Sequence, residues 1–314
     1  MVFLLLSILS STSVFIVFKL IGRYKVNTFS AIIVNYITAC SAGFFLSHSN
    51  PFSFDLLKSD WLPLSLLLGI IFITMFRLIG QSVLKVGIST TTVAAKMSVI
   101  IPILFTIALE TNDTLTPFKI TGISLALIAV FLTSYKPEKG RTELTSSPKT
   151  TEFTSSLKAI GVSSTLLPLL IFLGIGILDS LIKYAQFRYI SNDINPLFSG
   201  ITFFIAGLTG LLLLPFNRNA AKDLGRFKTW ILGILLGLVN FGSMYFFIGA
   251  LNHIDVVSGK QAQGSIVFGI NNIGIVAFGV IIGYLFFKER PTKLNWSGIA
   301  LSVLAIAVIT FSQR

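Results

Sequence analysis

The chain has 314 residues, 54% of them apolar and 11% charged, with 29 Phe and a formal net charge of +12. Charged residues stand at less than half of their usual share of about 25%, which excludes a soluble globular domain and the soluble enzymes and nucleic-acid-binding modules built on one. The chain reads as an all-α integral membrane protein.

Ten apolar segments follow one another, at residues 2–20, 29–47, 61–84, 89–109, 117–135, 165–187, 195–215, 229–251, 265–287 and 294–311. Each predicts a helix long enough to cross a hydrocarbon core of about 30 Å. Barrel strands are excluded because the segments are continuously apolar, where strands would alternate over about 10 residues. The first segment has no Lys or Arg before Lys19, so it lacks the basic region of a signal peptide and is expected to remain as a helix. Cys40, the single cysteine, falls in the second segment and is expected to pack as a small apolar residue. Between the fifth and sixth segments, residues 136–164 are rich in Ser, Thr, Lys and Glu and predict a flexible linker.

The positive charge has a topological pattern. Loops after segments 1, 3, 5, 7 and 9 carry sixteen Lys and Arg, whereas those after segments 2, 4, 6 and 8 carry four: Lys58, Lys119, Arg188 and Lys260. Basic loops stay in the cytoplasm. The first set is therefore expected inside, both termini outside, and the protein in a plasma membrane, that of a bacterial inner membrane, without nucleic acid as a partner.

Two stretches of the chain occur twice. Shifted by 176 residues, Asp113, Thr116, Gly122, Ile123, Leu125 and Ala129 fall on Glu289, Thr292, Gly298, Ile299, Leu301 and Ala305, and Lys96 falls on Asn272. Independently, Lys19, Arg23, Tyr24 and Asn27 at the end of segment 1 match Lys183, Arg188, Tyr189 and Asn192 at the end of segment 6, with one residue inserted. Residues 1–135 and 165–314 are therefore expected to be two five-helix repeats. Five is odd, so the second repeat starts on the opposite face of the membrane and the repeats are inverted. Secondary transporters use that architecture and bind substrate near the midplane between the repeats.

The two five-helix halves, the acidic residue nine positions before a glycine in each closing hairpin (Asp113 and Gly122, Glu289 and Gly298) and the Gly-Ile-x-Leu start of the following helix resemble the EamA-type transporters of the drug/metabolite transporter superfamily. The resemblance covers nearly the whole chain and implies transport of small metabolites. One departure is Asp113, where such families commonly carry Glu. Glu110 fills that role if the first corner holds three extra residues, and Lys96 then meets Ile275, one turn from the Asn pair.

Chemistry is expected from polar residues at membrane depth, where a charge facing lipid costs about 3 kcal/mol or more. These are Arg77, Lys96, Asp179 and Lys183. Arg77 shares one helix face with Thr74, Gln81 and Lys85, and Lys96 lies on a face with Ser89 and Thr92. Arg77, Gln81, Lys96, Asn271, Asn272, Asn35, Asn240 and Tyr245 are the substrate-binding candidates. Asp179 and Lys183 stand four apart and can pair as a structural lock near the outer rim. Asp179 is nevertheless the proton-coupling candidate, being the carboxylate deepest inside a segment. Trp61, Trp230 and Trp296 are expected as interfacial anchors, and Gly233 and Gly237 as a site of close helix approach. His48 and His253 have no neighbouring Cys, Asp or Glu at metal-ligand spacing, and no phosphate-loop, dinucleotide or nucleophile motif occurs, so neither metal nor cofactor is expected.

The leading expectation is a secondary transporter moving a small metabolite by alternating access. On the excess positive charge of Arg77 and Lys96, the substrate carries an anionic group such as a carboxylate or phosphate. The alternatives are a broad-specificity drug or amino-acid exporter of the same fold and, from another class, a non-transporting membrane subunit or an integral-membrane enzyme. Substrate, direction, coupling ion and oligomeric state stay open, a monomer being sufficient.

Overall fold

In a hydrocarbon medium every backbone N–H and C=O has to find its partner within the segment, and a helix does this for a continuously apolar run. The computed structural model describes residues 2–47, 54–85, 94–110, 113, 116–134, 166–253, 263–287 and 292–311. No strand occurs among them. Helices α1 (Val2–Arg23), α2 (Thr28–Leu46), α3 (Leu62–Lys85), α4 (Ile100–Leu109) and α5 (Pro117–Ser134) precede α6 (Leu166–Arg188), α7 (Asn195–Leu213), α8 (Phe227–Leu251), α9 (Gly264–Phe287) and α10 (Lys293–Phe311). Within the described residues, seven of these, α1 to α3 and α6 to α9, are long and apolar enough to cross a membrane. The expected linker at 136–164 lies outside the described residues, as do His48, Lys260 and Glu289.

The predicted helix at 89–109 differs from expectation in its described part. Residues 94–97 are helical, Ser98 and Val99 form a turn, and α4 then runs from Ile100. Pro102 accounts for the break: it has no N–H to give to Ser98 and its ring crowds that carbonyl. The chain turns here through tighter bonds, Val99 N to Lys96 O at 3.4 Å and Ile101 N to Ser98 O at 3.0 Å.

Helix ends carry local caps. Asn27 Oδ1 accepts from Phe29 N and Ser30 N at the start of α2. Thr116 Oγ1 accepts from Lys119 N at 3.2 Å ahead of α5, and Thr292 Oγ1 accepts from Asn295 N at 3.3 Å ahead of α10. Asn295 Oδ1 returns the bond by accepting from Thr292 N, a capping box. The two threonines are the pair matched by the 176-residue shift.

Packing runs mostly between the first five helices and the last five. α1 packs on α8 and α9, α2 on α7 and α8, α3 on α6 and α7, α4 on α6 and α9, and α5 on α10. Moving each helix five places on turns α1–α8 into α6–α3, α1–α9 into α6–α4 and α2–α8 into α7–α3, and leaves α2–α7, α4–α9 and α5–α10 unchanged. α9 additionally packs on α5 and α10. Small residues bring α2 and α8 together, as expected of Gly233 and Gly237: a Cβ on Gly233 would lie 2.5 Å from Val34 Cβ, and one on Gly237 2.6 Å from Asn35 O. Cys40 is buried in the core formed by α2, α3, α6, α7 and α8. Trp61 is a correction: it is only 7% exposed and packs edge-on against Phe198, so it is a core residue and not an interfacial anchor. Trp230 and Trp296 stay exposed, as anchors would. The perimeter carries Leu66, Ile70, Leu169, Leu173, Leu235 and Leu238, an apolar surface suited to lipid.

Candidate functional site

Polar side chains meet where α1, α8 and α9 converge. Ser7, Ser11 and Phe15 lie four residues apart on one face of α1. Ser7 Oγ donates to Asn271 Oδ1 at 3.0 Å, and Ser11 Oγ is 2.6 Å from Ser243 Oγ. Asn272, beside Asn271, donates through Nδ2 to the Phe268 carbonyl of its own helix at 3.3 Å. Asn271 is thus bonded across helices, whereas Asn272 is partly exposed and has no cross-helix bond among the described residues.

Lys96 precedes the break in α4 by two residues and places its ammonium 5.2 Å from the centroid of the Phe15 ring. Asp179 of α6 stands near enough for each charge to act on the other, without an ion-pair contact or hydrogen bond between them among the described residues. Both are partly exposed. Phe15 is 47% exposed although it lies on the α1 face that carries Ser7 and Ser11 toward other helices. An exposed aromatic ring on an inward-facing stripe marks an open interior at that level. Lys96 and Asp179 therefore stand at an accessible level inside the bundle, with α1, α4 and α6 around them.

The remaining candidates are distributed more widely. The Arg77 guanidinium lies 4.8 Å from the ring centroid of Phe29, the second residue of α2. The Gln81 side chain lies outside the described residues. Asn35 and Asn240 are buried and bond to each other, Asn240 Nδ2 donating to Asn35 Oδ1 at 3.1 Å. Tyr245 stacks on Phe241 with centroids 5.4 Å apart, and its carbonyl accepts from Asn195 Nδ2. The expected pairing of Asp179 with Lys183 is corrected. The Lys183 ammonium is 2.5 Å from Glu110 Oε1, because at the C-terminal end of α6 it meets the end of α4.

A double-mutant cycle checks the amide pair. Asn35→Ala and Asn240→Ala are expected to show a coupling of about 0.6 kcal/mol in thermal unfolding, the average for such bonds in membrane proteins. A coupling near zero would mean that the bond does not hold α2 to α8.

Over residues 165–311, which span α6 to α10, the chain matches the EamA-like transporter family. It is 30% identical over 315 residues to a protein of Haemophilus influenzae described as uncharacterized, covering 99% of this chain and 98% of that one. The chain belongs to the EamA-like transporter family. The family is part of the drug/metabolite transporter superfamily. A crystal structure with 13% sequence identity superposes with a TM-score of 0.72 over 99% of this chain and 96% of that one, so this EamA-like chain shares its fold from end to end with a solved protein.

A second set of polar residues in this transporter-family chain escaped the sequence reading. Glu110 and Asp113, between α4 and α5, are 4% and 1% exposed. Glu110 Oε2 accepts from Gly264 N at 3.1 Å, and Asp113 Oδ2 accepts from Ser265 N at 2.9 Å. Lys119, counted from sequence as a loop charge, is 1% exposed and donates to Asp113 Oδ1 at 2.5 Å and Gln263 Oε1 at 2.8 Å. A signal existed: no Ser, Thr, Asp or Asn stands immediately before Gly264, so the first N–H groups of α9 need acceptors from elsewhere, and carboxylates suit a helix N-terminus.

Proposed function

We propose that the protein is a secondary transporter of a small metabolite, working by alternating access between two inverted five-helix repeats, residues 1–135 and 165–314, joined by a cytoplasmic linker at 136–164. The helix partnerships support the repeats, since, apart from the packing of α9 on α5 and α10, those between the halves survive the exchange of each helix with the one five places on. So do the matching Thr116 and Thr292 caps. All ten helices then span the membrane, with both termini outside, as the distribution of basic residues requires. The membrane is the plasma membrane, a bacterial inner membrane, and a single copy of the chain suffices.

The observation that supports the reading is the Lys96 ammonium 5.2 Å from the ring centroid of the exposed Phe15, with the opposite charge of Asp179 acting on it. Two opposite charges inside a membrane bundle, each partly exposed and drawn from the segment just before α4 in one repeat and from α6 in the other, suit a substrate and coupling site better than a structural bond. With Asp179 beside Lys96, the excess of positive charge falls to that of Arg77. A substrate carboxylate or phosphate then reaches Lys96 by taking the place of Asp179, and Asp179 releases the ammonium when it takes up a proton. The Ser7, Ser11, Ser243, Asn271 and Asn272 cluster supplies neutral hydrogen-bonding groups for the rest of the molecule, and Arg77, Gln81 and Tyr245 remain substrate-binding candidates. Asn35 and Asn240 serve the same site indirectly, by holding α2 to α8.

The test is a thermal-shift screen of small carboxylates, phosphates and amino acids against the purified protein, followed by counterflow of the hits in proteoliposomes. An anionic or zwitterionic metabolite is expected to raise the melting temperature and to exchange across the membrane. Stabilising ligands that never exchange would instead indicate a non-transporting membrane protein.

A further inference from the structure

We propose that the Glu110–Lys183 ion pair, with the capping of α9 by Glu110 and Asp113, is the outer gate of the transporter. The structure then represents the state closed at that gate and open toward the cytoplasm. This inference rests on the alternating-access reading above.

Four helices meet at this end. α4 and α5 of the first repeat contribute Glu110, Asp113 and Lys119, and α6 and α9 of the second contribute Lys183, Gln186, Gln263, Gly264 and Ser265. Lys183, 0% exposed, bonds to Glu110 and donates to Gln186 Oε1, and Gln186 donates on to Asn252 Oδ1 at 2.7 Å. The elements are drawn close: a Cβ on Gly264 would lie 2.5 Å from Thr106 Cγ2 and 3.0 Å from Lys183 Cε. Access from this side is blocked by these contacts.

The far end of the same bundle differs. On α1, Leu4, Ser7 and Ile8 are buried, and about two turns beyond Ser7 on the same stripe Phe15 is 47% exposed, while Val17 and Ile21 on the neighbouring face stay packed with α2 and α8. Lys19, matched to Lys183 by the sequence repeat, is exposed where Lys183 is sealed. Two lysines in equivalent places with opposite burial are what a two-state machine caught in one state would show.

The bonding is suited to repeated opening. Asp113 and Lys119 both belong to the first repeat and stay paired when the repeats separate, so opening breaks one ion pair, Glu110–Lys183, and not two. A buried ion pair gains little net stability because its attraction is offset by desolvation, which lets it part at low cost once water enters. The same physics makes removal of one partner disruptive, since the other charge is left buried and unpaired. Neutralising either residue therefore favours the open gate, in which the remaining charge is hydrated. Sidedness follows from the basic-residue distribution, which assigns the ends of α4 and α6 to the outside.

The experiment uses Thr106→Cys in a Cys40→Ser background as a reporter beneath the gate. Thr106 is buried, and its hydroxyl donates to the Pro102 carbonyl of its own helix. In right-side-out vesicles a membrane-impermeant methanethiosulfonate is expected to modify this cysteine slowly. With Glu110→Gln or Lys183→Met added, modification should be at least about tenfold faster. Unchanged rates in both variants, with their melting temperatures intact, would overturn the gate. If neutralised variants fold poorly, Glu110→Cys with Lys183→Cys, joined by a short bifunctional thiol reagent, gives a second arm. Flux should stop on joining and return on cleaving the bridge, and full flux in the joined protein would overturn the proposal. The labelling arm needs no substrate, so a failure of transport in the wild-type protein would count against the transporter reading and leave the gate to be judged separately.

Discussion

Lys96→Met is expected to abolish transport, lowering the initial rate by about 100-fold or more, and to destabilise the protein by on the order of 3 kcal/mol. The stability loss follows from Asp179, which loses the opposite charge that acts on it and must either stay ionised without it or take up a proton at membrane depth. The double variant Lys96→Met with Asp179→Asn should regain most of that stability, because no unpaired charge remains, and yet stay inactive. Asp179→Asn alone should give a third pattern. On the proposed mechanism proton and anionic substrate bind together, because protonation of Asp179 frees Lys96, so acidifying the compartment from which the substrate starts should speed its movement. The amide leaves Lys96 permanently free, and the flux should lose its dependence on pH while substrate still binds. Counterflow and pH-jump measurements in proteoliposomes, beside thermal unfolding, separate the three. A double variant as active as the wild type would remove the pair from the mechanism.

The residues of that pair were legible in the sequence because each is costly where it stands. Lys96 and Asp179 interrupt apolar segments, and such interruptions need a partner or a cavity. That they are partners of each other was not legible. Asp179 has Lys183 four residues away on its own helix, and the local pairing conceals the one made through the fold. The helices were equally plain, since continuous apolar runs leave the backbone no alternative in lipid. The exception is the turn at Ser98 and Val99, whose cause, Pro102, was visible but whose position two residues beyond Lys96 acquires meaning only in three dimensions. Charges at segment ends were read least well. Asp113 and Glu110 stood out as the acidic position of the repeat and Lys119 as a loop charge, and only the arrival of α9, whose Gly264 and Ser265 need acceptors, makes them a buried network.

Gly43→Ala should destabilise the protein as strongly as any single methyl can, and Gly43→Leu should leave little of it folded. A Cβ on Gly43 would stand 2.5 Å from Gly200 Cα, 2.7 Å from Gly200 N and 2.8 Å from Pro196 O. All three are backbone atoms of α7, so no rotamer change relieves the clash and the two helices must separate. α2 has little room to move away, because its other side lies against Gly233 and Gly237 of α8. Overpacking in a well-packed core costs typically 1–3 kcal/mol and sometimes more, which at this chain length corresponds to several degrees in melting temperature. Gly279 supplies the control, since it lies within α9 with nothing within 4 Å of its would-be Cβ. Gly279→Ala makes the same chemical change where only helix propensity counts, and should be neutral or stabilising by up to about 1 kcal/mol. Thermal unfolding followed by size-exclusion chromatography reads both. Gly43→Ala matching or exceeding Gly279→Ala in melting temperature would mean that α2 and α7 do not meet as closely as Gly43 and Gly200 require.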